Sequence, residues 1–233
     1  MKILTDFYRH TNQFINDAID RIVVEIHLRK QRDGIKSVML SGCEPGVGTT
    51  TLSISLAISL ANAGWKTILI DGDLRKISKY KRLNEDITIG LSEYLLGADL
   101  YPNAVYGTNN RNLFYIPSGA RVDNPISLLC SSRVDELMTQ LGNEYDYIIL
   151  DMPSITSTVD PNVLVSKMDA VILVAEYART DIRSVRESKD IIHKAGGKLL
   201  GMILNKVKNS EYGHMMKHFD YYKKKKYITR NVK

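Results

Sequence analysis

Residues 41–51, Ser-Gly-Cys-Glu-Pro-Gly-Val-Gly-Thr-Thr-Thr, carry the pattern with the clearest chemical meaning in the chain. The apolar segment 37–41 before them predicts a buried strand, and the spacing of apolar residues in 52–63 predicts a helix that stops at Gly64. A strand, a glycine-rich turn and a helix form the setting of a phosphate-binding loop, because backbone N–H groups and the helix N-terminus attract an anion. The residues predicted to surround phosphates are Pro45, Gly46, Val47, Gly48, Thr49, Thr50 and Thr51. The Thr50 hydroxyl stands where it can reach a magnesium ion.

Two positions of this loop depart from the usual pattern, which is glycine, four variable residues, glycine, lysine and then serine or threonine. Thr49 occupies the place of the lysine, and Cys43 occupies the place of the first glycine. Taken alone, the segment is therefore also compatible with a glycine-rich turn that binds no nucleotide.

Three aspartates follow two further apolar segments. Residues 66–71 run into Asp71 and Asp73, and residues 146–150 run into Asp151. Ligands of doubly wound sheets bind beyond the carboxyl ends of the strands, and carboxylates at that edge suit magnesium and its water molecules. Together with the loop, these acids predict a nucleotide-type site.

Apolar strands alternate with helices along the whole chain. Strands are predicted at 37–41, 66–71, 112–116, 146–150, 169–175 and 199–204, and helices at 11–31, 52–63, 90–97, 125–141, 160–167 and 180–195. Continuous apolar strands between helices are typical of an α/β fold with a doubly wound, mostly parallel sheet covered on both faces. The length of 233 residues fits one such domain.

The basic charge of the chain is concentrated at its C-terminal end. From residue 206 onwards nine Lys or Arg stand against two acids, a net charge of +7, whereas the whole chain carries +6. Residues 1–205 therefore carry −1, so the charge does not predict a nucleic-acid-binding face on the domain. We divide the chain into an N-terminal helix at 1–34 for packing or assembly, a nucleotide-binding domain at 35–208, and a basic, tyrosine-bearing tail at 209–233.

Cysteine content and hydropathy predict the compartment. The two cysteines form no recognisable pattern, which favours a reducing cytoplasm. The longest apolar helical stretch has about twelve residues, which is too short to span a bilayer. We expect a cytoplasmic protein without a signal peptide.

In these motifs the chain resembles the cytoplasmic bacterial tyrosine kinases that control capsule and exopolysaccharide export, the CpsD/CapB type within the MinD/ParA-like branch of P-loop proteins. The resemblance covers about residues 17–205. Its most specific piece is Ile68-Leu-Ile-Asp-Gly-Asp-Leu-Arg75, and the segments 90–97, 119–129 and 151–153 add to it.

The resemblance implies that the chain binds ATP and Mg²⁺ and transfers a phosphoryl group to tyrosine, a reaction that depends on positioning and charge neutralisation. It implies that the loop cradles the phosphates, and that Thr50, Asp73 and Asp151 hold the metal ion and its waters. Asp71 would accept the proton of the tyrosine hydroxyl. Asp73 and Arg75 would complete the catalytic set, with Arg75 as an extra cation.

The tail fits the same family. The tyrosines that the resemblance marks for autophosphorylation in trans are Tyr212, Tyr221, Tyr222 and Tyr227. The lysines at 223–226 would each add about 1 kcal/mol of attraction to an anionic membrane surface. The resemblance also implies activation by a membrane adaptor protein, which would hold the chain at the membrane periphery. The alternative is a solvated tail whose tyrosines have no role.

Thr49 and two further departures from the family pattern leave the activity open. Glu44 stands where the MinD/ParA branch has its signature lysine. The self-assembly motif E-x-x-R-x-x-R aligns with Asp17, Asp20 and Val23, which lack both arginines, so a homo-oligomer would need other contacts.

Three hypotheses follow for the function of the chain. The first is an active tyrosine autokinase of the exopolysaccharide system that a membrane adaptor activates; backbone amides and magnesium could hold its nucleotide, and Lys76 or Lys79 could substitute for the loop lysine. The second is a catalytically impaired relative that acts as a scaffold on the same adaptor. The third, a MinD/ParA-type positioning ATPase, is disfavoured by Glu44 and by the tyrosine-rich tail.

Overall fold

The computed structural model describes residues 3–5, 7, 9–76, 89–98, 100–208 and 211. The four tail tyrosines, the lysines at 223–226 and Lys79 lie outside these ranges.

A central sheet organises the described part of the chain. Its strands are β1 (Ile3–Thr5), β2 (Ser37–Gly42), β3 (Thr67–Asp71), β4 (Tyr106–Thr108), β5 (Leu113–Ile116), β6 (Tyr147–Met152), β7 (Ala170–Glu176) and β8 (Leu199–Asn205). They lie in the order β1-β4-β5-β3-β6-β2-β7-β8. Neighbouring strands are parallel except for the β4–β5 pair, which is antiparallel. The predicted α/β fold with a mostly parallel sheet is confirmed.

Helices cover both faces of this sheet. They are α1 (Gln13–Asp33), α2 (Thr49–Asn62), α3 (Leu91–Leu95), α4 (Ile126–Leu129), α5 (Ser132–Glu144), α6 (Asp160–Val165) and α7 (Ile182–Lys194), with a 3₁₀ turn at Tyr101–Ala104. One apolar core lies beneath α1 and α2, and the other beneath α3 to α7. Every residue of β2, β3 and β6 is buried, which explains why these strands are apolar throughout rather than alternating.

The six predicted strands and six predicted helical regions are all present, with two differences of detail. The helix predicted across 125–141 is wrong as a single element, because the backbone of Ser131 is extended (φ −72°, ψ 156°) and separates α4 from α5. The Ser131 hydroxyl and N–H both bond the carbonyl of Leu128, which ends α4. The three-residue strands β1 and β4 were not predicted, since they are too short to show a period.

The N-terminal helix α1 packs on the domain. Ile19, Val23 and Ile26 are 5%, 4% and 0% exposed. Of the positions that align with the assembly motif, Val23 is therefore packed in the core. The Asp20 carboxylate accepts hydrogen bonds from Arg9 and from the hydroxyl of Ser59. Within the described ranges, no helix has both the length and the apolar character needed to cross a membrane.

Candidate active site

The loop between β2 and α2 is shaped by its glycines. Gly46 and Gly48 have φ values of +78° and +95°, a region that L-residues with a side chain rarely adopt. A Cβ atom on Gly48 would also lie 2.4 Å from Nδ2 of Asn205. Helix α2 begins at Thr49, three residues earlier than its apolar pattern predicts, so its free N–H groups start directly at the loop.

The end of the last strand holds this loop from outside. The Asn205 amide donates a hydrogen bond to the carbonyl of Val47 (2.9 Å), and the Lys206 ammonium group donates to the carbonyl of Gly46 (2.8 Å) and to Glu176 (2.8 Å). Sequence reasoning missed both residues. The signal that could have found them is their place directly at the carboxyl end of a predicted parallel strand, the edge where ligands bind.

Asp71 and Asp151 lie side by side because β3 and β6 are neighbours and pair these two residues in register. Their exposed fractions are 9% and 5%. Burial, and then the charge of Asp151, raises the pKa of Asp71 to about 7. Burial also raises the pKa of Asp151 to about 6, against the hydrogen bonds that the Thr50 and Ser53 hydroxyls donate to it.

A cavity of about 410 Å³ brings most of the predicted site together. The predicted residues that line it are Pro45, Gly46, Gly48, Thr49, Thr50, Thr51, Asp73, Arg75 and Asp151. Val47 instead points its side chain into the core, where it is 2% exposed. Asp71 is not among the residues that line this cavity. It lines a small neighbouring cavity, and Thr50 and Asp151 line both.

Arg75 is engaged by a carboxylate that sequence reasoning missed. Its Nε and Nη2 atoms bond the two carboxylate oxygens of Asp160 at 2.6 and 2.8 Å. Asp160 begins helix α6 and is 2% exposed. Arg75 therefore lines the cavity while it neutralises a buried acid 85 residues further along the chain.

Lys76 follows directly and forms an ion pair with Asp73, at 2.5 Å between Nζ and Oδ2. The Lys76 side chain is 77% exposed, whereas that of Asp73 is 13% exposed. The hydrogen bond and charge of Asp73 raise the pKa of Lys76. The ammonium charge in turn opposes the rise in the pKa values of Asp71 and Asp151.

The donor set suits a magnesium–nucleotide complex. In the described residues, no group of three or more His, Cys, Asp or Glu side chains is arranged to hold a metal. Mg²⁺ needs no such group, since it uses one or two carboxylates together with phosphate oxygens and water. The Asp73 and Asp151 carboxylates and the Thr50 hydroxyl face one cavity beside the loop and could supply the protein's share.

Glu44, which replaces the signature lysine of the MinD/ParA branch, is used within the fold. Its Oε1 atom accepts a hydrogen bond from the N–H of Asp181 (3.2 Å), immediately before α7. This contact ties the loop to the start of that helix.

A covered, mostly parallel sheet with a glycine-rich loop between a strand and a helix, and with aspartates at the ends of adjacent strands, defines the class of P-loop NTPase-like proteins. The sequence model of the family described as AAA domain matches residues 35–196. The chain is 37% identical to the tyrosine-protein kinase CpsD of Streptococcus pneumoniae serotype 4 over 178 residues, which are 75% of this chain and 78% of that protein. It is 33% identical to CapB of Staphylococcus aureus over 201 residues, 85% of this chain and 88% of that protein.

A solved structure extends the likeness to three dimensions. The chimerical protein CapA2B2 matches with a TM-score of 0.78 and 26% identity, over 89% of this chain and 95% of that one. The chain belongs to the CpsD/CapB family of bacterial tyrosine kinases. The resemblance drawn from the motifs is confirmed.

Proposed function

We propose that this chain is an ATP-dependent protein-tyrosine kinase that regulates the synthesis and export of a capsular polysaccharide or exopolysaccharide. One observation carries the proposal: a single cavity unites the phosphate loop with the Thr50 hydroxyl and with the carboxylates of Asp73 and Asp151. The relative CpsD is named a tyrosine-protein kinase, which supports tyrosine as the acceptor.

Each residue of the site has a defined role in this proposal. The N–H groups of the loop bind the phosphates of ATP. Thr50, Asp73 and Asp151 hold Mg²⁺, which when bound neutralises charge on the transferred group. Asp71 accepts the proton of the tyrosine hydroxyl, and its raised pKa of about 7 suits a general base at neutral pH.

The acceptors in this proposal are the tail tyrosines Tyr212, Tyr221, Tyr222 and Tyr227, modified in trans within a homo-oligomer. A membrane adaptor protein activates the kinase and keeps this cytoplasmic chain at the membrane periphery, where Lys223–Lys226 contact anionic lipid. The name of the related chimera, CapA2B2, joins two Cap proteins and supports work with a partner. Nucleic acid is not a partner, because the domain carries no net basic charge outside the tail.

The test combines calorimetry with phosphorylation mapping. Wild type should bind Mg²⁺–ATP and incorporate labelled phosphate at tail tyrosines, and Asp71→Asn should bind ATP but leave the tail unlabelled. Mixing Asp71→Asn with an active chain whose tail tyrosines are changed to Phe should label the Asp71→Asn chain, which only transfer in trans can do. Wild type that binds ATP but labels no tyrosine, even when the cytoplasmic segment of the membrane adaptor is added, would refute the kinase.

A catalytically impaired relative that serves as a scaffold is the second candidate, and Thr49 favours it. A charge-assisted contact to phosphate contributes about 1.5–3 kcal/mol, so its loss weakens nucleotide binding. This candidate predicts that wild type binds no ATP and that Thr49→Lys regains binding. The positioning ATPase is disfavoured further, because Glu44 is occupied by the N–H of Asp181; it predicts ATP hydrolysis without phosphotyrosine.

A further inference from the structure

The phosphate loop has Thr49 in the place of its lysine, so a positively charged side chain at the phosphates would have to come from another part of the chain. Of the described residues that line the larger cavity, Arg75 and Lys76 carry positive charge. Arg75 is bonded to both oxygens of the buried Asp160, and moving it away would leave that carboxylate without its partner. Lys206 also lies near the loop, but its ammonium group is held by Gly46 and Glu176 and does not line the cavity.

Lys76 has an anchored backbone and an exposed side chain. Its N–H bonds the carbonyl of Asp73 (3.3 Å), so a tight turn at the end of β3 holds its Cα atom beside the cavity. The exposed side chain meets the protein chiefly through the carboxylate of Asp73. Lysine carries its charge on a flexible four-carbon stem, which lets the ammonium group change partners without moving the backbone.

We propose that Lys76 supplies the phosphate contact that Thr49 cannot make, and that it binds the β- and γ-phosphates of the nucleotide. The inference rests on the proposed nucleotide binding. Without nucleotide, the ammonium group neutralises Asp73. A divalent cation held by Asp73 would neutralise that carboxylate instead, and the Lys76 ammonium group would then be free to pair with phosphates in the same cavity. Lys76 is thus the lysine of this site, contributed by the turn after β3 instead of by the loop.

The test is calorimetric titration with Mg²⁺–ATP and with AMP, which lacks the β- and γ-phosphates. Lys76→Ala and Lys76→Gln should each weaken ATP binding by about ten- to a hundredfold, as expected for a lost charge-assisted contact, and leave AMP binding unchanged. Lys194→Ala is the matched control, since it removes the same charge from an exposed lysine at the far end of α7. Adding Thr49→Lys to Lys76→Ala should restore ATP affinity, because a lysine returns to the loop.

Three results would overturn the inference. ATP affinity that is unchanged in both Lys76 variants, or equal losses for ATP and AMP, removes Lys76 from the phosphates and leaves the proposed kinase standing. Wild type that binds no ATP, while Thr49→Lys alone does, shows that Lys76 does not replace the loop lysine and also refutes the proposed kinase. The failures of the two proposals are therefore distinguishable.

Discussion

Asp71 and Asp151 show how strongly single residues are affected by their place in the sheet. Both are buried at the carboxyl end of neighbouring strands, and burial is the main reason that the pKa of each is raised. Burying a carboxylate without a cation lowers the free energy of unfolding. Such groups are common at functional sites, where their chemistry is needed. These residues should therefore reduce the stability of the metal-free protein at neutral pH.

Asp71→Asn should stabilise the metal-free protein at pH 8 by about 2 kcal/mol, since each unit of pKa shift corresponds to about 1.4 kcal/mol and part of it relaxes. The folded-state pKa of Asp71, about 7, lies above its ordinary value of 3.8. The folded chain therefore holds the Asp71 proton more tightly than the unfolded chain does. The stability that protonated Asp71 gives the wild type is fully present below about pH 4 and is lost as pH rises towards 7.

Urea unfolding in EDTA at pH 5 and pH 8 measures the effect of Asp71→Asn. The wild type should lose stability between these values more steeply than the variant, and Asp190→Asn, at an exposed position of α7, should follow the wild type. Equal slopes for wild type and Asp71→Asn would contradict the prediction.

Arg75→Ala should destabilise the fold by about 1–3 kcal/mol, because it leaves the carboxylate of Asp160 buried without its partner. Arg183→Ala is the comparison, since Arg183 also pairs with an aspartate but is 85% exposed, and no measurable change is expected there. The urea midpoints of the two variants, compared with that of the wild type, measure these effects. A wild-type midpoint for Arg75→Ala would mean that the ion pair does not stabilise the fold.

Among the elements, the phosphate loop is held by two neighbouring strands and a helix. The N–H of Cys43 bonds the carbonyl of Val174 at the end of β7 (2.8 Å). Asn205 at the end of β8 bonds the loop from the other side, and Glu44 joins it to the N–H before α7. The shape of the loop is therefore a property of the neighbouring strands as well as of its own glycines.

Gly48→Ala and Gly46→Ala separate the contribution of the loop's own glycines from that of the neighbouring strand β8. Both impose a side chain at positive φ, at a cost of about 1 kcal/mol. Only at Gly48 does the new Cβ meet the Asn205 amide, whereas at Gly46 nothing lies within 4 Å. Gly48→Ala should therefore cost about 1 kcal/mol more, through the displaced hydrogen bond to Val47.

Thermal or urea unfolding of the two glycine variants gives the comparison. Asn205→Ala removes the atom that the new methyl group meets, so its effect and that of Gly48→Ala should be less than additive. Strictly additive effects would show that the two residues do not interact.

At the scale of the whole molecule, one sheet separates two apolar cores, and the site lies at the carboxyl edge between them. Helix α1 is part of this architecture. His27 stacks on Trp65 (4.4 Å between ring centroids) and bonds the hydroxyl of Tyr147 (2.8 Å). The outer face of α1 exposes Val24 (57%) and Leu28 (53%), so the helix has one face in the core and another at the surface.

Ile26→Ala should destabilise the whole fold by about 3 kcal/mol, because Ile26 is fully buried on the inner face of α1 and its removal leaves a cavity. Val24→Ala removes an exposed apolar side chain two positions away and should have little effect on folding. Urea unfolding monitored by Trp65 fluorescence measures both. A similar, small effect of both substitutions would mean that α1 is not an integral part of the core.

Much of the architecture was predictable because it depends on contiguous residues. The buried strands β2, β3 and β6 show uninterrupted apolar runs, and the glycines of the loop and the acids after β3 and β6 lie directly beside those runs. Short elements such as β1 and β4 offer too few residues for a period. The separation of α4 from α5 depends on the local geometry of Ser131, which the helical pattern does not record.

The sequence alone thus determined the α/β class, the phosphate loop and the three aspartates, since periodicity and motif spacing are local properties. Only the tertiary structure decided which distant groups meet. Asp160 pairs with Arg75 across 85 positions, and Asn205 bonds Val47 across 158. The order of strands in the sheet places Asp71 against Asp151, and that order arises from the packing of the whole chain. No pattern within a short segment encodes such contacts, because their partners are brought together only when both cores close.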